Sequence, residues 1–113
     1  MIAYVRKMAW FDATPHNARK SRRVLIGSEL CAGAMPKIEA IDYQMLADIQ
    51  EIGLIEYDAA GAKPVSWSTL NAWAAMTGAR LTGGEASLLR ILSEAYLNQY
   101  RAACSEGATP PDA

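Results

Sequence analysis

The chain has 113 residues, of which 51% are apolar and 20% charged, and its formal net charge is −1. This composition excludes a disordered protein, and the length suits one small globular domain. The apolar runs are far too short to span a membrane, and the first residues lack a signal-peptide pattern, so we expect no membrane association.

The charges are unevenly distributed along the chain. Residues 1–37 hold seven Lys/Arg against two Asp/Glu, a balance of +5, whereas residues 38–113 hold four against ten, a balance of −6. This asymmetry indicates complementarity within the chain, head-to-tail association between copies, or a basic surface that meets an acidic partner.

The N-terminal region fits more than one structure. Residues 2–11 mix apolar and basic side chains, and we expect a strand or an extended arm there. Residues 18–31 fit a helix, but residues 23–27 fit a strand equally well. Gly33 and Pro36 end this element in either case.

A basic cluster lies in the same region, formed by Arg19, Lys20, Arg22 and Arg23. Lys and Arg at this density can displace counterions from nucleic acid. We favour a solvated face or docking on an acidic protein surface, because the chain as a whole is not basic and no nucleic-acid motif covers the cluster. Nucleic-acid binding through this basic patch stays as the alternative.

The middle of the chain carries clearer periodic signals. Residues 42–52 predict a helix with one apolar face, and Gly53 is a natural stop. Residues 54–58 alternate like a short strand, and residues 59–64 contain glycine and proline and predict a loop.

The C-terminal half predicts a helix hairpin. Ser66 is a good N-cap for a first helix, and Gly78 suits a left-handed position at its end. Thr82 and Glu85 form a capping box at the start of a longer helix, whose apolar residues recur at three- and four-residue spacing as far as Ala103.

We therefore predict a mainly α, small single domain. It has the C-terminal helix hairpin and, on the N-terminal side, a minor β-hairpin or an extended arm. Residues 1–104 would form the globular domain, with a basic region at 1–37 and a helical region at 42–104. Residues 105–113, which include a Pro-Pro pair, predict a flexible tail unless a neighbour holds it.

Five side chains of the hairpin are candidates for contacting a partner: Trp67, Leu70, Trp73, Tyr96 and Tyr100. Large apolar residues at helical spacing most often pack a core, and we favour that role for Trp73 and Tyr96. Trp67 and Tyr100 lie nearer the helix ends and are the better candidates for an interface, where Trp and Tyr are enriched.

The sequence contains no recognisable catalytic or metal-binding motif. His16 has no matching nucleophile and carboxylate, and the two cysteines, Cys31 and Cys104, are isolated. We expect no enzyme activity, no cofactor, no metal site and two reduced thiols.

A helix-turn-helix DNA-binding motif is a further alternative for the hairpin. Ala74 followed four residues later by Gly78 suits the turn of such a motif. The next helix, however, begins with Glu85, Ser87 and Arg90 as its polar side chains, a poor set for reading bases.

Residues 66–101 resemble a pattern found in small proteins of tailed bacteriophages and prophages, in particular tail assembly chaperones and accessory tail proteins. The residues that carry the resemblance are Trp67, Leu70, Trp73, Thr77, Gly78, Leu81, Thr82, Glu85, Leu92, Ser93 and Tyr96. The resemblance implies a non-enzymatic protein that binds tail components, such as the tape measure or tube protein, in the cytoplasm of the host bacterium or in the virion.

Two other functions stay open at this point. A phage regulatory or counter-defence protein would bind a host factor, and a helix-turn-helix protein would bind DNA. Self-association into a homo-oligomer is compatible with each of these functions.

Overall fold

The computed structural model describes residues 1–16, 18–39, 42–105 and 107–111. Over these residues the fold is mainly α, which confirms the predicted class, with a minor antiparallel β-hairpin. In chain order the elements are α1 (Ile2–Asp12), α2 (Arg22–Ile26), α3 (Ser28–Ala34), α4 (Tyr43–Ile52), β1 (Ile55–Asp58), β2 (Gly61–Pro64), α5 (Trp67–Thr77) and α6 (Gly83–Ala103).

Internal contacts group the chain into two units. The terminal unit comprises residues 1–38 together with 98–113, and the central unit comprises residues 39–97. Among the described residues, no helix has both the length and the apolar character needed to cross a membrane. The predicted division into one domain with a tail stays a prediction.

The eleven residues after Met1 form a helix, so the expected strand or extended arm at residues 2–11 is wrong. Val5 and Ala9 are fully buried, and Ala13, just past the end of the helix, is also fully buried. This four-residue spacing places one narrow apolar face inward. Arg6 and Lys7 lie between the buried positions Val5 and Ala9, and they make the helical spacing of the apolar residues hard to recognise in the sequence.

Residues 18–31 form neither one continuous helix nor a strand. They contain α2 and most of α3, and Gly27 separates the two helices with a φ of 104°. Residues that carry a side chain rarely adopt this backbone conformation, and glycine is therefore favoured at this position. The Ser21 hydroxyl accepts a hydrogen bond from the Val24 N–H (3.4 Å) and caps α2.

The segment after α6 is held by the terminal unit. The indole N–H of Trp10 donates to the Ala108 carbonyl (3.1 Å), and Pro111 is buried. The backbone N–H of His16 donates to the Cys104 carbonyl (2.9 Å). Within the predicted tail, Ala108 therefore accepts a hydrogen bond from Trp10 and Pro111 is buried, whereas positions 106, 112 and 113 lie outside the described residues.

In the central unit, α4 ends at Gly53 as predicted, and the chain then enters the β-hairpin. Ile55 pairs with Pro64 and Asp58 pairs with Gly61. The segment 59–64, expected to be a loop, therefore supplies the turn and the second strand. At the turn, the Asp58 carboxylate accepts a hydrogen bond from the Ala60 N–H (2.8 Å).

The predicted caps of α5 and α6 are confirmed. The Ser66 hydroxyl accepts from the Thr69 N–H (3.1 Å), and Gly78 has a φ of 72° at the end of α5. At the start of α6, the Thr82 hydroxyl oxygen accepts from the Glu85 N–H (3.1 Å). The Glu85 carboxylate returns to the Thr82 hydroxyl (3.0 Å) and not to its backbone N–H.

A buried serine joins α6 to both ends of the β-hairpin. Ser93 is 0% exposed, and its hydroxyl oxygen accepts from the Val65 N–H (2.8 Å) just after β2. The same hydroxyl donates to the carbonyl of Leu54, just before β1. One side chain thereby satisfies two backbone groups that are buried away from water.

We expect acid to weaken the central unit partly through Glu56. The Ser66 N–H, first, and the Thr69 hydroxyl hold the pKa of Glu56 below its ordinary value. The unfolded chain then takes up a proton at higher pH than the folded one. The stabilisation is complete above the ordinary pKa of the unfolded chain and is lost as pH falls through the lower folded-state pKa.

Urea unfolding of Glu56→Gln across this acid range is the measurement. The variant should lose part of the acid dependence, because glutamine keeps the shape of the side chain but does not titrate. The Ala60 N–H likewise lowers the pKa of Asp58, so some acid dependence must persist in Glu56→Gln. Identical pH profiles for wild type and Glu56→Gln would contradict the assignment.

Candidate functional site

An open groove of about 220 Å³ lies between α5 and the connection that leads into α6. Helix α5 lines it with Trp67, Leu70, Asn71 and Ala74, and Leu81 lines the opposite side. Most of this lining is apolar. The groove can therefore accept an apolar side chain from another molecule.

Trp67 stands at this groove with 51% of its surface exposed. The guanidinium of Arg90 lies 5.1 Å from the centre of its ring, and the Nε–H of Arg90 donates to the Val65 carbonyl (3.3 Å). Arg90 belongs to α6 and is hydrogen-bonded to Val65 at the end of the β-hairpin. Because its position is fixed in this way, it can orient the indole of Trp67. The exposed aromatic surface is thus pre-organised.

The five predicted partner-contacting residues separate in the structure. Trp67 and Leu70 both line the groove, but Leu70 is buried at its base and Trp67 alone presents a large exposed surface. Trp73 is half-buried, and its indole N–H is buried without a hydrogen-bond acceptor among the described residues. Tyr96 is buried in the central unit, and Tyr100 is half-buried and belongs to the terminal unit.

The predicted basic patch also separates into two pairs. Arg22 is 7% exposed, lies 4.5 Å over the ring of Trp10, and donates to the carbonyls of Trp10 and Ser105 (3.1 Å each). Arg23 forms an ion pair with Asp12 (2.9 Å). Both arginines therefore serve the internal structure of the terminal unit.

Arg19 and Lys20 form the other pair. Both are exposed, and within the described ranges neither takes part in an ion pair. Burial thus removes Arg22 from the solvent-facing part of the cluster, and the ion pair with Asp12 partly neutralises Arg23, whose side chain is 35% exposed; both effects weaken the nucleic-acid alternative.

Sequence reasoning missed an exposed apolar surface on α2 and α3. Val24, Leu25 and Leu30 are 61%, 60% and 69% exposed, and Ile26 is partly exposed beside them. A signal was present in the sequence. Successive helical residues point about 100° apart, so three consecutive apolar residues on one short helix cannot all face a core.

A second recess of about 350 Å³ in the central unit is acidic. It is lined by Asp42, Gln44, Met45, Asp48 and Glu85. In the part of the chain that the structure describes, no group of three or more His, Cys, Asp or Glu has the arrangement needed to hold a metal ion.

The contacts at the start of α6 give little support to a helix-turn-helix DNA-binding function. Of the polar residues at the start of α6, Glu85 is engaged in the helix cap and Arg90 is engaged with Trp67 and Val65. Side chains that make these internal contacts are poorly available for reading base edges.

Comparisons of the chain with models of protein families, with curated proteins and with solved structures find no match. The function is therefore inferred from the groove, the exposed residues and the resemblance of residues 66–101.

Proposed function

We propose that this protein binds other proteins during bacteriophage tail assembly, as a chaperone-like or accessory tail component without enzyme activity. The observation that carries the proposal is the half-exposed, oriented Trp67 beside an apolar groove. Trp is enriched among residues that dominate binding energy, particularly beside a pocket that excludes water.

The groove suits an apolar or aromatic side chain that projects from the partner. Burying one such side chain completely contributes about 1.5–3 kcal/mol, which suits reversible binding when few side chains are involved. A chaperone needs this reversibility, because the growing tail tube must displace it. The groove lies within residues 66–101, the segment that resembles tail assembly proteins, and this supports a tape measure or tube protein as the partner.

The test is an affinity capture with the tagged protein from a lysate in which the phage is being produced, with and without nuclease. We expect the tape measure or tube protein in both samples. Recovery of one host protein alone would replace the proposal with a counter-defence function. Recovery that nuclease abolishes would replace it with nucleic-acid binding.

Purified virions distinguish the two forms of the proposal. A permanent accessory component should be present in the particles. A chaperone should be absent from them, although it binds its partner in the host cytoplasm.

Trp67→Ala should weaken capture of the tail partner by about tenfold or more, as expected for loss of an aromatic anchor. Asn71→Arg should have a similar effect, because it places a long charged side chain at the exposed rim of the groove without altering the core. Tyr57→Ala is the matched control, since Tyr57 is 76% exposed and lies outside the groove.

The measurement is the binding isotherm of each variant with the captured partner, alongside its urea midpoint. Equal affinities for Trp67→Ala, Asn71→Arg and Tyr57→Ala would show that the groove is not the binding site.

A further inference from the structure

The exposed surface of α2 and α3 combines apolar and basic character. Val24, Leu25 and Leu30 provide the apolar part, and Arg19 and Lys20 lie just before α2 in the chain. Within the described residues, neither basic side chain has an acidic partner. We call these five residues the α2–α3 surface. Large apolar side chains with more than half of their surface exposed favour binding when a partner covers them.

The acidic recess of the central unit has the opposite charge. Asp42, Asp48 and Glu85 bring three carboxylates to it, and Met45 adds an apolar side chain. None of the ion pairs formed within the described ranges involves these carboxylates. Asp48 accepts a hydrogen bond from the Gln44 amide (3.0 Å), a neutral partner that leaves the charge uncompensated.

The two units as wholes carry the same complementarity. The terminal unit has eight Lys/Arg against four Asp/Glu, a balance of +4, and the central unit has three against eight, a balance of −5. Opposite potentials of this kind speed encounter between complementary surfaces and set their orientation.

We propose that two copies of the chain associate head to tail, with the α2–α3 surface of one copy docked on the acidic recess of the next. Arg19 and Lys20 meet the recess carboxylates, and those exposed apolar side chains of α2 and α3 that face the next copy are covered together with Met45. The contact uses different surfaces on the two copies. Each copy therefore offers one surface of each kind, and association continues into a ring or a filament.

A charge-swap experiment tests this directly by sedimentation equilibrium. The wild-type mass should rise with concentration, and high salt should suppress the rise because screening shortens from about 10 Å at 0.1 M to about 3 Å at 1 M. The double variant Arg19→Glu/Lys20→Glu reverses the α2–α3 surface, and Asp42→Lys/Asp48→Lys reverses the recess. Each variant alone should associate at least about tenfold more weakly than wild type.

Mixing the two variants should restore the association, because each reversed surface then meets a complementary one. The matched control is Glu51→Lys/Glu94→Lys, which makes the same change in net charge at exposed positions outside the recess and should associate like wild type. Asp42→Asn/Asp48→Asn removes the charge with almost no change of shape. Asp42→Asn/Asp48→Asn should also weaken association when it is measured by itself. If circular dichroism shows that Asp42→Lys/Asp48→Lys is unfolded, the asparagine variant takes its place.

A wild-type protein that stays monomeric at every concentration would overturn the proposal. So would a mixture that fails to recover association, or a control that loses it as fully as the recess variants. Because this experiment needs no tail protein, its outcome is independent of whether the groove at Trp67 binds one.

Discussion

Replacing Arg22 by methionine is expected to lower the free energy of unfolding by about 2–4 kcal/mol. The guanidinium is almost fully buried and donates to the carbonyls of Trp10 and Ser105, which lie at the end of α1 and after α6. Methionine fills a similar volume but leaves both carbonyls without this donor and removes the stacking on Trp10.

Urea unfolding measures the loss, and hydrogen exchange locates it. The amide of Ala108, which donates to the Ser105 carbonyl, should exchange faster in Arg22→Met because the segment after α6 loses an anchor. Arg19→Met is the matched control: it removes the same charge from an exposed position and should change stability by no more than about 0.5 kcal/mol. Equal unfolding free energies for the two variants would refute the structural role of Arg22.

Ser93→Ala is expected to destabilise the central unit by about 2–3 kcal/mol. The variant leaves the Val65 N–H and the Leu54 carbonyl buried without the hydroxyl that now pairs with both. The small cavity left by the missing oxygen adds to the cost. Urea unfolding followed by circular dichroism is the measurement.

Ser87→Ala provides the control on the same helix. Ser87 is exposed, so alanine should be neutral or slightly stabilising through its higher helix propensity. A Ser93→Ala protein as stable as Ser87→Ala would mean that other groups or water satisfy the two backbone atoms. Ser93→Thr keeps the hydroxyl and should fall between the two, since its extra methyl enters a fully buried site.

Several elements followed directly from local sequence signals. The start of α5 at Ser66 and the cap of α6 at Thr82 were predictable, because each depends on a hydroxyl that accepts from a backbone N–H three residues on. The end of α5 at Gly78 was predictable because glycine readily adopts the positive φ found there. The end of α4 at Gly53 is of the same kind. Such signals are read within one helical turn and need no knowledge of distant neighbours.

Other elements could not be assigned from local patterns. Helix α1 buries Val5, Ala9 and Phe11, which do not fall on one regular stripe, so its amphipathic signal is weak. Residues 61–64 become a strand because they pair with β1, although glycine and proline predict a loop. For this strand, pairing with its neighbour overrides the preference of its own residues.

In the candidate site, too, some features could be predicted from the sequence and others depend on tertiary contacts. The sequence pointed to Trp67 as an interface residue and to Tyr96 as a core residue. In the structure Trp67 is half exposed and Tyr96 is buried, and the interface role of Trp67 stays a prediction. It gave no indication that Arg90 orients Trp67, since that contact depends on how α6 packs beside the end of the hairpin. The groove itself exists only where two helices meet.

The sequence by itself determined the mainly α class, the ends of the capped helices and the separation of charge along the chain, because these depend on composition and on contacts between near neighbours. Only the tertiary structure decided which basic residues face solvent. Arg22 and Arg23 are adjacent to Arg19 and Lys20 in the chain, yet the first pair is taken up by carbonyls and a carboxylate from remote segments. Burial is a property of what packs against a residue, and those partners lie up to 83 positions away.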